Sequence, residues 1–335
     1  MNNKSKTKII GQPIVAIVIL VWNNYEDSRE CLMSCYALSY KKLMIILVDN
    51  ASSDGSGHRL SQEFPGVEFI YNKENLGYAG GNNVGIKWAL KRGAEFVFMV
   101  NNDVVIESKD LIERMVLCFE RIPDLGVLGP KILAYFPNEE SVEPEFKAGL
   151  YNYIKKHFLP KVHFVPPEKL NLIIKERVVV SGCAIMIKRE LFEKIGYFNE
   201  EFFMFGEEND LCLRAAKAGF LVLYIDDKTT SVKHKGSISY GNCPSWRVFL
   251  EARNQFIQLR AFPLYTQFVI VLLHIASLGK KSIRWVCNGE WQMIINSFLG
   301  LINGLCLWIK DNLGLSKPGE YLSAGRYVAE KRGNK

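Results

Sequence analysis

With 335 residues, 48% of them hydrophobic, the chain is long enough for one large folded domain plus an appendage, and too apolar to be disordered. Its formal charge of +7 is spread over 42 basic and 35 acidic residues. No long basic tract precedes the C-terminal third, which argues against nucleic acid and for an anionic small molecule or a membrane surface. The eight cysteines show neither CxxC pairs nor the spacing of a secreted framework, so reduced cytosolic thiols are expected.

Residues 1–12 read as a polar, basic tail. Ile14 to Trp22 is too short and too β-branched for a signal sequence and reads as the first strand. Strand-like and helix-like runs then alternate: a helix from Ser28 to Leu38, a strand from Leu43 to Val48, a helix near Ser56 to Glu63, and a strand from Val67 to Tyr71. A helix from about Asn83 to Lys91, a strand from Glu95 to Val100, and a helix from Lys109 to Arg121 that stops at Pro123 continue the pattern. Such alternation predicts an α/β fold with a parallel sheet. From Lys131 to Arg177 the rhythm is lost among clustered prolines, and this irregular segment is expected to face an acceptor. Order returns with a strand over 178–187 interrupted at Gly182, helices around Arg189 to Ile195 and Asn209 to Ala218, and a strand from Phe220 to Ile225.

Four places carry chemistry. The apolar run 97–100 ends in Asn101-Asn102-Asp103, and a buried parallel strand delivers oxygen ligands at its carboxyl end, where a metal or phosphate would sit. The first two strands likewise end in Trp22-Asn23-Asn24 and in Asp49-Asn50-Ala51-Ser52-Ser53-Asp54-Gly55-Ser56. The serines suit a plain turn and helix cap, whereas Asp49 closes a buried strand and is favoured as a ligand to a base or ribose. The glycine-rich stretch 72–85 opens a helix and lets backbone approach a ligand, yet it is neither a Walker loop nor a dinucleotide fingerprint. Finally, Glu207-Glu208-Asn209-Asp210 follows the aromatic run 202–205 at a helix start. Three acids in four residues exceed what capping needs, and apolar surroundings would raise a carboxylate pKa toward that of a useful base. His234, flanked by lysines, could reach a metal or phosphate, although a lone histidine is commonly structural.

In this order, the pieces resemble the family-two inverting glycosyltransferases of the GT-A fold, most closely their rhamnosyltransferase-like members, over about Val15 to Ser239. The resemblance implies a Rossmann-like, mixed but mostly parallel sheet flanked by helices, with a catalytic domain over 13–240. It places Asn23 and Asp49 on the nucleoside, and adds Asn75, Gly77, Asn82 and Asn102 to the donor-binding set. Asn101-Asn102-Asp103 corresponds to the family's DxD motif with its first aspartate replaced; Asp103 would still bind Mg²⁺ or Mn²⁺, with His234 as a further ligand. Glu208 stands at the general base, with Asp210 second and Glu207 orienting the acceptor. The implied donor is a UDP- or dTDP-sugar, the sugar being rhamnose in the nearest members. The implied acceptor is a hydroxyl of a glycan or lipid-linked molecule in cell-surface polysaccharide synthesis. A non-catalytic sugar-nucleotide-binding or scaffolding subunit and a nucleotidyltransferase are the alternatives; the latter lacks a glycine-rich basic loop after the first strand.

The last third, 241–335, reads as a helical appendage. A helix from Trp246 to Leu259 carries Arg253-Asn254, a pair that recurs in relatives and would face the diphosphate or a lipid-linked acceptor, with structural salt bridging as the alternative for Arg253. Two apolar stretches follow, Phe262 to Leu278 and Trp291 to Ile309, separated by Lys280, Lys281 and Arg284. A spanning hairpin would place that basic linker outside, against the positive-inside rule, so helices lying on the inner face of the membrane are expected, with Trp285, Trp291 and Trp308 at the interface. Packing against a partner subunit, including a second copy, is the alternative, and Gly300 with Gly304 suits either arrangement.

Overall fold

The computed structural model describes residues 11–135, 172–236 and 245–315. Aliphatic runs with almost no polar interruption form the central strands β1 (Val15–Val21), β2 (Leu43–Asp49) and β4 (Phe96–Asn101). They are buried because both faces of the sheet are covered. In β1, Val15, Ile17, Ile19 and Val21 point into one core while Ala16 and Val18 point into the other. Helices α1 (Tyr25–Tyr36) and α4 (Leu111–Arg121) supply the first core, for instance through Leu32 and Met115. Helices α3 (Gly77–Lys91), α5 (Arg189–Ile195) and α6 (Glu207–Lys217) supply the second, through Ile86, Leu191 and Leu211. Helix α2 (Ser56–Glu63) follows β2.

The remaining strands are β3 (Glu68–Tyr71), β5 (Val104–Ile106), β6 (Leu125–Gly129), β7 (Lys131–Ala134), β8 (Ile174–Glu176), β9 (Ala184–Lys188), β10 (Leu221–Ile225) and β11 (Ser231–His234). Eight strands form one sheet in the order β3-β2-β1-β4-β9-β6-β10-β8, in which β9 runs antiparallel to both β4 and β6, and β8 antiparallel to β10. A second sheet, β5-β11-β7, begins just past the carboxyl end of β4. The α/β fold expected from the alternation is present, with the mixed, mostly parallel sheet that the resemblance implies.

Several boundaries differ from the sequence reading. Helices α1 and α3 start earlier than expected because their first turns are polar or glycine-rich and carry no apolar stripe. The strand expected over 178–187 is confined to β9, since Val179 and Val180 are buried without joining a ladder. Part of the irregular segment is ordered, as β7 and β8; residues 136–171 lie outside the described residues.

Three helices complete the described chain: α7 (Ser245–Leu259), α8 (Leu264–Cys287) and α9 (Trp291–Asn312). Helix α9 lies against α7 through its two small residues. A Cβ at Gly300 would fall 2.3 Å from the Phe249 carbonyl oxygen, and one at Gly304 2.3 Å from Cδ2 of Phe256. The pair therefore serves packing within the chain. Trp308, expected at a membrane interface, is instead buried, its Nε1 donating to Gln267 Oε1 at 2.5 Å. By length and composition α9 could cross a membrane.

Candidate active site

The register of the parallel strands brings the polar ends together, with Val21 opposite Asp49 and Leu20 opposite Asn101. Asp49 Oδ1 accepts from the Ser52 N–H (3.1 Å) and hydroxyl (2.5 Å), and Ser52 Oγ accepts from the Asn23 N–H at 2.8 Å. Asn23 Oδ1 in turn accepts from the Ser53 N–H at 2.9 Å. Asn23 and Asp49 are thus joined by Ser52, a residue whose sequence context suggested only a turn. Asn23, Asn24 and Ala51 hold positive φ of 60°, 64° and 62°, a strained geometry typical of ligand-shaping loops.

At the end of β4, the Asp103 side chain is 7% exposed and its Oδ1 lies 3.2 Å from Nε2 of His234. Antiparallel pairing of His234 with Val104 fixes this approach, and the Lys235 N–H donates to the Asp103 carbonyl at 3.0 Å. Lys235 itself, unforeseen in the sequence, is clamped between Asp27 (2.6 Å) and Glu30 (2.5 Å) of α1. Its hydrogen bond, joined by that of Tyr135, holds the Glu30 carboxyl below its usual range. Asn102 donates to Ser28 Oγ at 2.9 Å. Asp103 and His234 offer one carboxylate and one imidazole, and among the described residues no group of three or more His, Cys, Asp or Glu is placed to hold a metal ion.

The second acidic cluster is delivered by a strained loop in which Phe203, Phe205 and Gly206 have φ of 60°, 72° and 100°. The Phe203 carbonyl accepts from the N–H groups of Tyr78 (2.7 Å) and Ala79 (3.2 Å), capping α3. Gly77 is required there, since a Cβ would fall 2.3 Å from that oxygen. Asn75 Oδ1 accepts from the Gly77 N–H and from Asn50 Nδ2, both at 2.8 Å, and Asn82 Nδ2 donates to the Tyr78 carbonyl at 3.0 Å. The glycine-rich segment, expected to meet the donor through Asn75, Gly77 and Asn82, therefore anchors the acidic loop. A helix start capped by a backbone carbonyl and one open to phosphate look alike in sequence.

Glu207 and Glu208 occupy the first turn of α6. Glu207 is 4% exposed, and its Oε2 has no hydrogen-bond partner among the described residues. Burial pushes the pKa of both carboxyls up, and the neighbouring Glu208 charge adds to the shift of Glu207. Glu208 lies beside Gly182, where a Cβ would sit 3.6 Å from its own Cβ; the Gly182 carbonyl accepts from the Tyr78 hydroxyl at 2.6 Å. Asp210, expected as a second base, is paired with Arg214 at 2.8 Å, and Arg214 also donates to the carbonyls of Ile195 and Tyr197. That carboxylate holds the arginine that ties α6 to the end of α5.

The two carboxylates of interest both lie near the residues that lead into β9. The Asn101 N–H donates to the Cys183 carbonyl at 2.8 Å, one residue beyond the glycine that Glu208 touches. Burial pushes the Cys183 thiol up to about 12, and the charges of Asp103 and Glu208 both contribute. Asp103 and Glu208 thus flank one short segment at one end of the sheet.

Arg253, expected on the diphosphate or the acceptor, is fully buried and donates to the carbonyls of Glu201 (3.1 Å) and Phe202 (2.8 Å) and to Asn254 Oδ1 (2.8 Å). Asn254 Nδ2 donates to the carbonyls of Met204 and Phe205, both at 2.7 Å. The pair clamps the loop that carries the acids.

Comparison with known proteins identifies the family and the fold. The model of the family described as Glycosyl transferase family 2 matches residues 16–196. The chain is 28% identical over 302 residues to the low-salt glycan biosynthesis hexosyltransferase Agl10 of Haloferax volcanii, covering 88% of this chain and 93% of that protein. It is 24% identical over 259 residues to the N-acetylglucosaminyl-diphospho-decaprenol L-rhamnosyltransferase of Mycobacterium tuberculosis, covering 73% and 84%. Among solved structures, the mannosyltransferase PcManGT from Pyrobaculum calidifontis, in complex with GDP-Man and Mn²⁺, superposes with a TM-score of 0.53 at 16% identity, covering 88% of each chain. The S. aureus TarS fragment 1–349 with UDP-GlcNAc also gives 0.53 at 15% identity, covering 89% of this chain and 81% of that one. Matched over more than half its length and built on the mixed sheet of its structural neighbours, the chain belongs to glycosyl transferase family 2.

Proposed function

We propose that this glycosyltransferase moves a sugar, rhamnose being the leading candidate, from a UDP- or dTDP-sugar to a hydroxyl of a glycan or lipid-linked acceptor, with inversion at the anomeric carbon. The observation that carries the proposal is the convergence of Asp103 and Glu208 on the start of β9, with a carboxylate–imidazole pair on one side and a carboxyl of raised pKa on the other. The names of the hexosyl- and rhamnosyltransferase relatives support the reaction class, and the decaprenol-linked acceptor in one name supports a lipid carrier. Family membership leaves the nucleotidyltransferase alternative without support. In this reading 13–240 is the catalytic unit and 241–335 the helical one.

Asp103, with His234 beside it, would hold a divalent ion, the carboxylate supplying the hard oxygen donor. When bound, Mg²⁺ or Mn²⁺ offsets the negative charge that develops on the leaving diphosphate. Asp49 and Asn23 hold the nucleoside, their positions set by Ser52. Glu208 accepts the proton of the acceptor hydroxyl as that oxygen attacks the anomeric carbon from the face opposite the diphosphate. Glu207, behind it, keeps a buried carboxyl whose raised pKa favours the neutral form, so that it can donate a hydrogen bond. One base opposite one leaving group suits a single displacement without a covalent sugar intermediate.

A thermal-shift screen of UDP-, dTDP- and GDP-sugars, with and without Mn²⁺, tests this directly. One donor class is expected to raise Tm by several degrees only when the ion is present, because a ligand that binds the native state stabilises it. No shift with any pair would remove the reading. A second expectation concerns Gly57. A Cβ there would fall 2.2 Å from Asp49 Oδ2, so Gly57→Ala must displace that carboxylate. By calorimetry, nucleotide affinity should fall about tenfold, which is roughly the loss of one charge-assisted hydrogen bond.

A further inference from the structure

The outer faces of α8 and α9 are apolar and face no other described element. Val269 and Leu272 of α8 are 53% and 68% exposed, and Phe298 and Ile302 of α9 are 47% and 56% exposed. The spacing of these residues, three on α8 and four on α9, marks one continuous stripe per helix. Exposed apolar surface on this scale marks an interaction site.

The inner face of α9 is committed along its length. Gly300 and Gly304 seat it on α7, Trp308 bonds Gln267 of α8, and Asp311 pairs with Arg260 at 2.8 Å. Helix α7 is in turn locked by Arg253 and Asn254 to the loop that carries Glu207 and Glu208. For α9 to span a bilayer it would have to leave α7, or draw the buried Arg253 into hydrocarbon. The helix is held along α7 and can offer only its outer stripe.

Charge identifies the occupant. The sequence of α8 contains Lys280, Lys281 and Arg284 and no Asp or Glu, and all three cations are exposed. An apolar stripe bordered by cations matches a lipid surface with anionic headgroups. A second copy docked with α8 parallel to its mate would bring the two cationic clusters together, which like-charge repulsion opposes, and one docked antiparallel would leave the cations without an anionic partner on α8.

We propose that the outer faces of α8 and α9 dock the protein on an anionic bilayer surface without crossing it, and that α7 rigidly links this docking face to the loop bearing Glu208. A lipid-borne acceptor is thereby presented to the base at a set height above the membrane. That last step rests on the reading of Glu208 given above; docking itself does not, and is measured without donor, acceptor or metal.

The test is flotation of the full chain with vesicles of phosphatidylcholine plus phosphatidylglycerol, and with phosphatidylcholine alone. The protein is expected to float with the mixed vesicles and to be released by alkaline carbonate. Leu272→Glu with Phe298→Glu should lower the bound fraction about tenfold, and Lys280→Glu with Lys281→Glu should do the same. The second variant changes only exposed side chains, so it keeps the test valid should the first fail to fold. Absence of flotation, equal binding to neutral vesicles, or resistance to carbonate would each overturn the proposal. So would a concentration-dependent dimer that Leu272→Glu with Phe298→Glu dissolves while the wild type ignores lipid.

Discussion

Replacing Glu208 with Gln is expected to lower kcat by about three orders of magnitude while donor affinity stays unchanged, the usual weight of a general base that touches the attacking hydroxyl. The amide keeps the shape and loses the basic lone pair. Burial raises the pKa of Glu208 from its ordinary 4.5, so the wild-type kcat/KM should climb with pH along an acidic limb displaced above that value. Below the limb the carboxyl is protonated and cannot accept the proton. The residual activity of Glu208→Gln should lack that limb, and Glu208→Asp should retain it at reduced height. A pH–rate profile of the three proteins beside donor-binding calorimetry checks both statements. Turnover of Glu208→Gln close to wild type would move the base elsewhere. A stability effect of the opposite sign accompanies the buried acids. The folded state binds protons between pH 4.5 and the raised pKa values of Glu207 and Glu208, so these groups weaken folding as pH rises through that interval.

The parts of this site that sequence disclosed are those whose signal is local. The strands β1, β2 and β4 declare themselves as unbroken aliphatic runs, and Asp49 and Asp103 stand out because a carboxylate ends or follows each run. Glu208 is visible because three acids follow four apolar residues, more charge than a helix start needs. The short strands β5, β7, β8 and β11, of three or four residues each, carry too few alternations for a period to show. Yet β11 pairing with β5 is what brings His234 to Asp103. Other members of the site are defined by partners distant in the chain: Lys235 reaches back 208 residues to Asp27, and Ser52 reaches back 29 to Asn23. No spacing rule links such pairs. Asn75, Gly77 and Asn82 show the converse: a glycine-rich helix start reads the same in sequence whatever occupies it, and here its N–H groups receive the Phe203 carbonyl.

Arg253 separates the two kinds of evidence most sharply. An arginine on the diphosphate, as the sequence context suggests, would contribute to donor affinity and little to folding, so its loss would raise Kd and leave Tm nearly unchanged. The structure reverses this assignment. The Arg253 guanidinium is fully buried and satisfies the carbonyls of Glu201 and Phe202. Arg253→Met keeps most of the volume but takes the guanidinium donors from the Glu201 carbonyl and Asn254 Oδ1 in the interior, while the Phe202 carbonyl keeps the Met204 N–H, at a cost of about 2–4 kcal/mol in unfolding free energy by urea titration. The loop running from these carbonyls to Glu207 holds three residues at positive φ and has no regular secondary structure of its own to keep it in place. Released from Arg253, it should relax toward commoner backbone angles and carry Glu208 away from Gly182. Transfer is then expected to fall by roughly one to two orders of magnitude in kcat, because a displacement of about 1 Å in a reacting group has that effect. Donor Kd should hold within about twofold. Loss of donor affinity with unchanged stability would restore Arg253 to the diphosphate and leave the strained loop without its clamp.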